Sequence, residues 1–261
     1  MDEEHALAFA LETTRRAGDI ARRLFGNVRT EYKESGVPYD VVTEADREID
    51  AFVINAVKAA FPDHGFHSEE GGGEQGARFR WTLDPVDGSS NFARGIPHFA
   101  ICLGLLDGGV PVCGVVYDPI TEDLFAFSKD SGALLNGTRM SASAAHALAG
   151  GTLLLTIGSR KENWTWGTEL YKRLLESEVR VRNLGSSALD ICFLAAGRVD
   201  AVVYGGMTLA DVAPAVGILR AAGGEVYAFD TGKVAELLTT PQRVLACGDT
   251  ALRDRLLSLH S

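Results

Sequence analysis

The stretch 81–92, WTLDPVDGSSNF, places Asp84 and Asp87 directly behind an apolar run. Two such carboxylates repel each other and lose hydration when buried, so a folded core gains nothing from them without a cation. Pro85 fixes the backbone after the first aspartate, and Gly88 permits a conformation that strains other residues, so the turn can aim both carboxylates at one point. Asp-Pro and Asp-Gly also favour simple turns, and taken alone this reading explains the pattern equally well.

A cation and an anion could meet at this turn. If residues 89–91 open a helix, their free backbone N–H groups form an anion site beside the carboxylates. Carboxylate, hydroxyl and carbonyl oxygens form a hard-oxygen site, which suits Mg²⁺ better than zinc. Glu69 or Glu70 in HSEEGG and Asp211 in TLADVAP could supply further oxygens. Singly, the glutamates also fit a solvated loop, and the aspartate fits a helix N-cap.

The N-terminal part of the chain predicts helices packed on a sheet. Apolar residues at helical spacing indicate a helix over residues 5–25 and a second from Thr43 to residue 60, which a capping box of Thr43 and Asp46 would open. Three β-rich runs follow within residues 99–136, separated by DGG, DPITED and KDSG. That punctuation is typical of an antiparallel meander.

Beyond about residue 150 strands alternate with helices, which predicts a mixed or parallel sheet covered on both sides. We therefore predict an α/β (α+β mixed) protein with two lobes. Residues 1–150 would form the lobe with the antiparallel sheet and most metal ligands, and residues 151–261 the α/β lobe that carries Asp211.

Composition narrows the class of protein. The 261 residues include 25 Lys and Arg against 35 Asp and Glu, a net charge of −10, which makes nucleic acid or an anionic membrane an improbable partner. The N-terminus is acidic and amphipathic, so we expect neither a signal peptide nor a membrane span. Four cysteines in apolar contexts, with no CxxC pair, suit a reducing cytoplasm.

The ordered motifs VVTEAD, SEEGG, WTLDPVDGSSNF and ADVAP resemble those of the inositol monophosphatase family over nearly the whole chain. The DPxDGxxNF element is highly specific, and the shorter motifs become specific in its company. The resemblance implies a layered α-β-α-β-α sugar-phosphatase sandwich and Mg²⁺-dependent hydrolysis of phosphate monoesters. It also implies inhibition by Li⁺ and, commonly, a homodimer.

Carried over residue by residue, the resemblance implies two to three Mg²⁺ ions. Glu69, Asp84 and the carbonyl of Val86 would hold one ion, and Asp84, Asp87 and Asp211 a second. A third, weaker ion would lie near Glu69. No close His or Cys offers zinc geometry.

The resemblance also implies the residues that act on the substrate. The catalytic group would be Asp46, Ser89, Glu69 and Thr43, with Ser89, oriented by Asp46, positioning a metal-activated water for in-line attack on phosphorus. The substrate contacts would be Asp87, Gly88, Ser89, Arg160, Gly185, Ser187, Tyr204 and Asp211.

Three positions depart from the family pattern. Ser89 stands where threonine is usual, and it keeps the hydroxyl. Ala210 replaces a tryptophan before Asp211, which removes packing bulk but no ligand. Tyr204 falls where inositol-cleaving members often place a glutamate, and a tyrosine can hydrogen-bond or stack but cannot supply a carboxylate's paired acceptors.

Two basic residues have an open role. Arg160 in GSRKEN could reach a substrate anion or could be a solvated charge at a helix start. Lys33 in YKESG could lie near a mobile metal loop.

The sequence thus predicts a cytoplasmic phosphatase with inositol 1-phosphate as the first candidate substrate. Fructose 1,6-bisphosphate, histidinol phosphate and 3'-phosphoadenosine 5'-phosphate remain open, because related members use the same metal turn with different pocket walls. A hypothesis of another class is a catalytically weak regulator that keeps the fold and binds a protein or RNA partner. The complete ligand set argues against lost catalysis, and the acidic charge argues against direct RNA binding.

Overall fold

The computed structural model describes residues 3–26, 30–32, 41–69, 72–74, 78–158, 160–237 and 240–259. Lys33 and Glu70, both considered above, lie outside these ranges.

Seven α-helices and fifteen strands occur in the described residues. The helices are α1 (Glu3–Leu24), α2 (Glu44–Ala60), α3 (Ser89–Ala93), α4 (Trp164–Glu176), α5 (Ser187–Ala195), α6 (Ala213–Ala221) and α7 (Thr250–Ser258). The strands before residue 140 are β1 (Thr30–Tyr32), β2 (Val41–Thr43), β3 (Gly65–Ser68), β4 (Gly72–Glu74), β5 (Phe79–Asp87), β6 (Ala100–Asp107), β7 (Val110–Tyr117), β8 (Leu124–Ser128), β9 (Gly132–Leu135) and β10 (Thr138–Arg139). The remaining strands are β11 (Thr152–Thr156), β12 (Arg180–Arg182), β13 (Ala201–Met207), β14 (Glu225–Ala228) and β15 (Gln242–Cys247).

The strands form two large sheets and a small ribbon. The first large sheet has eight strands in the order β10-β9-β8-β7-β6-β5-β3-β4, and the second has five in the order β12-β11-β13-β15-β14. β1 and β2 pair only with each other. The predicted antiparallel meander is present, but the first sheet also contains one parallel pair, β3 with β5. In the second sheet β11 runs parallel to β12 and β13, and β15 runs antiparallel to its neighbours, as expected for a mixed sheet.

Apolar side chains define five layers. α1 and α2 cover the outer face of the first sheet, where Ile49, Trp81 and Leu103 are fully buried. α5 and α6 lie between the two sheets in a second core. α4 and α7 cover the far face of the second sheet through residues such as Leu170 and Leu256. The order helix, sheet, helix, sheet, helix confirms the predicted α-β-α-β-α sandwich.

The start of α6 packs against the first sheet at two glycines that face it. Gly104 and Gly114 are paired across β6 and β7. A Cβ atom at Gly104 would lie 2.7 Å from Cγ of Pro214, and one at Gly114 would lie 2.9 Å from its Cβ. The start of α6 therefore rests directly on the sheet.

The predicted division at residue 150 matches the change from the first large sheet to the second along the chain, and it stays a prediction about domains. None of the described helices combines the length and the apolar character needed to cross a bilayer.

Candidate active site

A cavity of about 230 Å³ lies where the end of β5 faces β13 and the segment before α6. Its lining residues are Glu69, Asp84, Val86, Asp87, Gly88, Ser89, Ser187, Tyr204, Gly206, Met207, Thr208, Asp211 and Val212. Four of them are carboxylates, and no lysine or arginine is among the described residues of the lining. The cavity therefore concentrates negative charge.

A β-bulge in β5 turns two carboxylates to the same side. Asp84 pairs with Cys102 and Asp87 with Ala100, so three steps along β5 match two steps along β6. Residues three apart on a regular strand point to opposite faces, and the extra residue of a bulge brings them to one face. Pro85, which has no N–H to give to the ladder, lies inside this bulge. The turn that the sequence placed here is thus a bulge within a strand.

Glu69 comes beside Asp84 through the parallel pairing of β3 with β5. Ser68 is the last residue of β3 and pairs with Leu83, and the amide of Glu69 donates to the carbonyl of Leu83 at 3.2 Å. Because β3 and β5 run in the same direction, Glu69 and Asp84, the residues after the paired Ser68 and Leu83, lie side by side.

Asp211 reaches the cavity from the second half of the chain. Its amide donates to the carbonyl of Thr208 at 3.2 Å, and the hydroxyl of Thr82 donates to the carbonyl of Ala210 at 3.4 Å. Val212 is the N-cap of α6, so Asp211 lies one residue before the cap. Its carboxylate is 4.0 Å from Nε2 of His67.

The carboxylate of Asp87 is held by the start of α5. Oδ1 accepts hydrogen bonds from the amide and the hydroxyl of Ser187, at 3.1 and 2.7 Å. Oδ2 accepts from the amide of Ala188 at 2.8 Å and from the hydroxyl of Ser186. Negative charge is favoured at a helix N-terminus, so these contacts fix the Asp87 side chain and join the end of β5 to the start of α5.

Burial and mutual repulsion raise the pKa values of the two aspartates. For Asp84 burial is the largest cause, followed by the charges of Glu69, Asp87, Asp211 and Asp46, and the pKa lies well above 3.8. For Asp87 burial also raises the pKa, although the hydrogen bonds from Ser186, Ser187 and Ala188 act in the opposite direction. A bound cation would relieve this repulsion.

The donor set fits a hard divalent cation. The cavity offers carboxylate oxygens together with hydroxyl and backbone carbonyl oxygens, which are ligands that Mg²⁺ accepts. Within the described ranges, however, no three His, Cys, Asp or Glu side chains are already gathered into a metal-ligand group. The four carboxylates nevertheless line one cavity, and the charges of Glu69, Asp87 and Asp211 all act on Asp84.

Ser89, Asp46 and Thr43 form a chain of hydrogen bonds at the base of the cavity. The hydroxyl of Ser89 lies 2.9 Å from the carbonyl of Val86 and 3.4 Å from Oδ1 of Asp46. Oδ2 of Asp46 accepts from the amide and the hydroxyl of Thr43, at 2.7 and 2.6 Å. This is the predicted capping box of α2, and it leaves Oδ1 directed toward Ser89.

Gly88 is the N-cap of the five-residue helix α3 and has a φ of +98°. A Cβ atom there would lie 3.1 Å from the carbonyl oxygen of His98 and 3.2 Å from that of Gly185. Nδ2 of Asn91 donates to the carbonyls of His98 and Leu184, both at 2.8 Å. Gly88 thus allows the left-handed backbone and lets the carbonyls of His98 and Gly185 approach it closely. Asn91 joins α3 to the loop before α5.

The predicted substrate contacts divide into two groups. Ser187 and Tyr204 line the cavity, whereas Gly185 is not in the lining and lies behind it against Asn91. Arg160 lines a different cavity of about 430 Å³, which shares Gly206 with the first. Its side chain is 54% exposed and lies 3.6 Å from Glu162.

Sequence reasoning did not single out Ser186, Asn91 or Asp190. Asn91 lies inside the quoted stretch WTLDPVDGSSNF, but its side chain bonds to Leu184, 93 residues away along the chain. Ser186 likewise bonds to Asp87, 99 residues away. Asp190 is a lone carboxylate in the apolar helix ALDICF, a pattern that can signal a buried polar contact. It is fully buried and accepts a hydrogen bond from Tyr204.

Comparison with known proteins agrees with this architecture. The sequence profile of the inositol monophosphatase family matches residues 2–260. A Nus factor SuhB of Xylella fastidiosa is 32% identical over 229 residues, which cover 87% of this chain and 83% of the relative. Inositol monophosphatase 1 of Solanum lycopersicum is 35% identical over 93% of this chain and 90% of the relative.

Two further relatives extend the comparison. A fructose-1,6-bisphosphatase/inositol-1-monophosphatase of Thermotoga maritima is 33% identical over 88% of this chain and 86% of its own. Among solved structures, the extragenic suppressor protein suhB of Bartonella henselae superposes with a TM-score of 0.90 at 27% identity, over 98% of each chain.

Proposed function

The chain belongs to the inositol monophosphatase family, and from that premise we propose that it is a Mg²⁺-dependent phosphatase of a small polyol or sugar phosphate monoester, inositol 1-phosphate first. The observation that carries the proposal is one cavity lined by four carboxylates, with the hydroxyl of Ser89 and the carboxylate of Asp46 at its base.

The cavity residues would divide the work of holding cations. Glu69, Asp84 and the carbonyl of Val86 would bind one Mg²⁺, and Asp84, Asp87 and Asp211 a second, with a third weaker ion near Glu69. Bound Mg²⁺ would offset charge on the phosphoryl oxygens and lower the pKa of the attacking water. The contacts of Asp87 with α5 would keep its carboxylate oriented while the ion binds.

Ser89 and Asp46 would orient the nucleophile. The hydroxyl of Ser89 can turn between the Val86 carbonyl and the Asp46 carboxylate, so it can present a lone pair or a proton to a water in the cavity. Thr43 would act by holding Asp46 in place. No covalent bond between Ser89 and phosphorus is required.

The backbone amides of Gly88 and Ser89 would bind the phosphate. The alcohol part of the substrate would then lie against Ser187 and Tyr204, which line the same cavity. Arg160 would contact only a substrate long enough to pass Gly206 into the neighbouring cavity.

The test is phosphate release from a panel of inositol 1-phosphate, fructose 1,6-bisphosphate, histidinol phosphate and 3'-phosphoadenosine 5'-phosphate with Mg²⁺. Asp84→Asn is the matched control, because it removes charge from the proposed ligand set at almost constant volume. We expect turnover by the native protein that is lost on chelation and in the variant. If the protein released phosphate from none of these substrates, the proposal that it is an enzyme would be rejected.

Fructose 1,6-bisphosphate is the second candidate within the class. It is favoured by the Thermotoga maritima relative, whose name joins both activities. A higher kcat/KM for the bisphosphate than for inositol 1-phosphate in the same panel would reverse our order of preference.

A regulatory role is the candidate of another class. It is favoured by relatives named Nus factor SuhB, such as that of Xylella fastidiosa. The presence of all four carboxylates argues for catalysis. A cellular phenotype of gene loss that Asp84→Asn complements fully would favour regulation, whereas failure to complement would favour turnover.

We further propose a homodimer in the cytoplasm. The dimer rests on family membership, and light scattering should give about twice the mass of one chain. The cytoplasm is supported by four buried cysteines without disulfides, Cys102, Cys113, Cys192 and Cys247. Fractionation of cells checks the location.

A further inference from the structure

Tyr204 forms part of the cavity wall but turns its hydroxyl away from the cavity. It lies at a second β-bulge, where Tyr204 pairs with Val244 and Met207 with Gln242 across β13 and β15. Both Tyr204 and Met207 line the cavity. The hydroxyl of Tyr204 donates to Oδ2 of Asp190 at 2.6 Å, and Asp190 is fully buried and lies outside the lining.

Asp190 has few other hydrogen-bond partners in the described structure. It belongs to the first turn of α5, and its Oδ1 makes no hydrogen bond in the described structure. Nε2 of His98 lies 3.7 Å from this oxygen and is also buried without a hydrogen bond. His98 packs edge-on against Phe193 and its side chain is 16% exposed, whereas that of Asp190 is fully buried. A buried carboxylate in this setting binds a hydroxyl donor strongly.

We propose that Asp190 is a positioning residue that keeps the Tyr204 hydroxyl out of the cavity, so that this wall offers the substrate an aromatic ring and no hydrogen bond. The inference rests on the proposed function and deepens it. It implies a phosphate monoester whose alcohol part turns a C–H surface, not a hydroxyl, toward β13.

The charge environment agrees with this geometry. Burial, followed by the charge of Asp190 and the hydrogen bond to it, raises the pKa of Tyr204 well above 10. A hydroxyl held in this way is a poor partner for a substrate, because release from Asp190 would leave a buried carboxylate with one acceptor fewer satisfied.

The kinetic test compares Tyr204→Phe with Asp190→Ala and Asp190→Asn. Tyr204→Phe keeps the ring but breaks the hydrogen bond that holds it, so we expect KM to rise by about the same factor as in Asp190→Ala, whereas a lost substrate hydrogen bond would lower kcat/KM in Tyr204→Phe alone. Asp190→Ala frees the ring, so KM should rise by about tenfold with kcat changed less than about threefold. Asp190→Asn keeps an acceptor and should restore KM.

Two results would overturn the inference. One is a loss of kcat/KM by about tenfold in Tyr204→Phe that Asp190→Ala does not share, which would show that the hydroxyl serves the substrate. The other is a fall in folded fraction for both Asp190 variants with KM unchanged, which would show a structural role only.

A readout without turnover separates this inference from the proposed function. The ultraviolet absorbance of tyrosinate is titrated with pH, and Tyr204→Phe is subtracted from the native protein. We expect no Tyr204 ionisation before unfolding, and ionisation at lower pH in Asp190→Ala. Titration of Tyr204 together with exposed tyrosines would reject the inference. An inactive protein with a protected Tyr204 would reject only the phosphatase proposal.

Discussion

At the scale of single residues, the hydroxyl of Ser89 has two acceptors in reach, the carbonyl of Val86 at 2.9 Å and a carboxylate oxygen of Asp46 at 3.4 Å. A hydroxyl poised between two acceptors can turn toward a third partner with little loss of hydrogen bonding. A threonine at this position would keep the same groups, since its extra methyl mainly restricts the rotamer.

Replacement of Ser89 tests this role directly. Ser89→Ala removes the hydroxyl that we propose orients the nucleophile, and we expect kcat to fall by about 100-fold, within the range typical of a positioned proton-transfer group. Ser89→Thr is the matched control and should keep activity within about threefold. Initial rates of phosphate release measure both, and equal rates for the two variants would exclude a role for the hydroxyl.

Asp87 differs from Asp84 in what a conservative replacement does. Each of its two carboxylate oxygens accepts two hydrogen bonds. In Asp87→Asn the amide nitrogen would replace one of these acceptors and would face an N–H or O–H of residues 186–188. We expect a loss of about 1–3 kcal/mol of unfolding free energy, measured by urea denaturation. Ser187→Ala removes a single donor and should lose about 0.5–1.5 kcal/mol. An Asn variant as stable as the native protein would contradict these contacts.

At the scale of secondary-structure elements, bulges and close packing place the site. β5 and β13 each carry an extra residue where they meet the cavity, so Asp84 and Asp87 on one strand and Tyr204 and Met207 on the other all face it. The short connection from β13 to α6 then determines how far the Asp211 side chain extends into the cavity. That depth depends on how closely α6 approaches β6 and β7.

The contact between Gly104 and Pro214 is open to a double-mutant cycle. Gly104→Ala would place a Cβ 2.7 Å from Pro214, and we expect a loss of about 1–3 kcal/mol through overpacking, together with a lower kcat because Asp211 shifts. Adding Pro214→Ala removes the clashing ring and should recover part of both losses. Losses that simply add would show that the helix does not rest on this glycine.

At the scale of the whole molecule, repulsion among the cavity carboxylates lowers the stability of the folded protein when they are ionised. Asp84 keeps its proton more firmly in the folded protein than in the unfolded chain, because burial and then Glu69 raise its pKa above 3.8. The stability linked to this group is therefore fully present below the unfolded pKa and is lost as the pH rises through the folded pKa.

Metal-free Asp84→Asn should consequently be more stable than the native protein at neutral pH. A gain of about 1 kcal/mol would raise Tm by roughly 2–4 °C for a chain of this size. The difference should shrink as the pH falls to about 3, below the unfolded pKa, where Asp84 is mostly protonated in both states. Thermal melts in a chelator across this pH range check the prediction, and a native protein that is the more stable at neutral pH would contradict it.

Addition of Mg²⁺ should reverse the order. A ligand that binds only the folded state stabilises it in proportion to its affinity, so the Tm of the native protein should rise with Mg²⁺ concentration. Asp84→Asn should respond much less. Equal responses would place the ion away from Asp84.

Much of the architecture could be read from local patterns. The spacing of apolar residues predicts α1, α2 and the alternating elements after residue 150, because one face of each element must be buried. The parallel pairing of β3 with β5 was not predicted, because it depends on the register of two strands joined by an intervening segment rather than on either strand alone.

Local patterns were enough to predict α1, α2, the alternating elements after residue 150 and the acidic motifs, since these depend on neighbours within a few residues. Which groups meet depends on the packing of distant segments. The contacts of Asp87 with residues 186–188 and of Tyr204 with Asp190 join different elements of the sandwich. The bulges that aim these side chains depend on pairing with other strands, and a side chain's partner across a packed interface is fixed by register and burial, which no local pattern encodes.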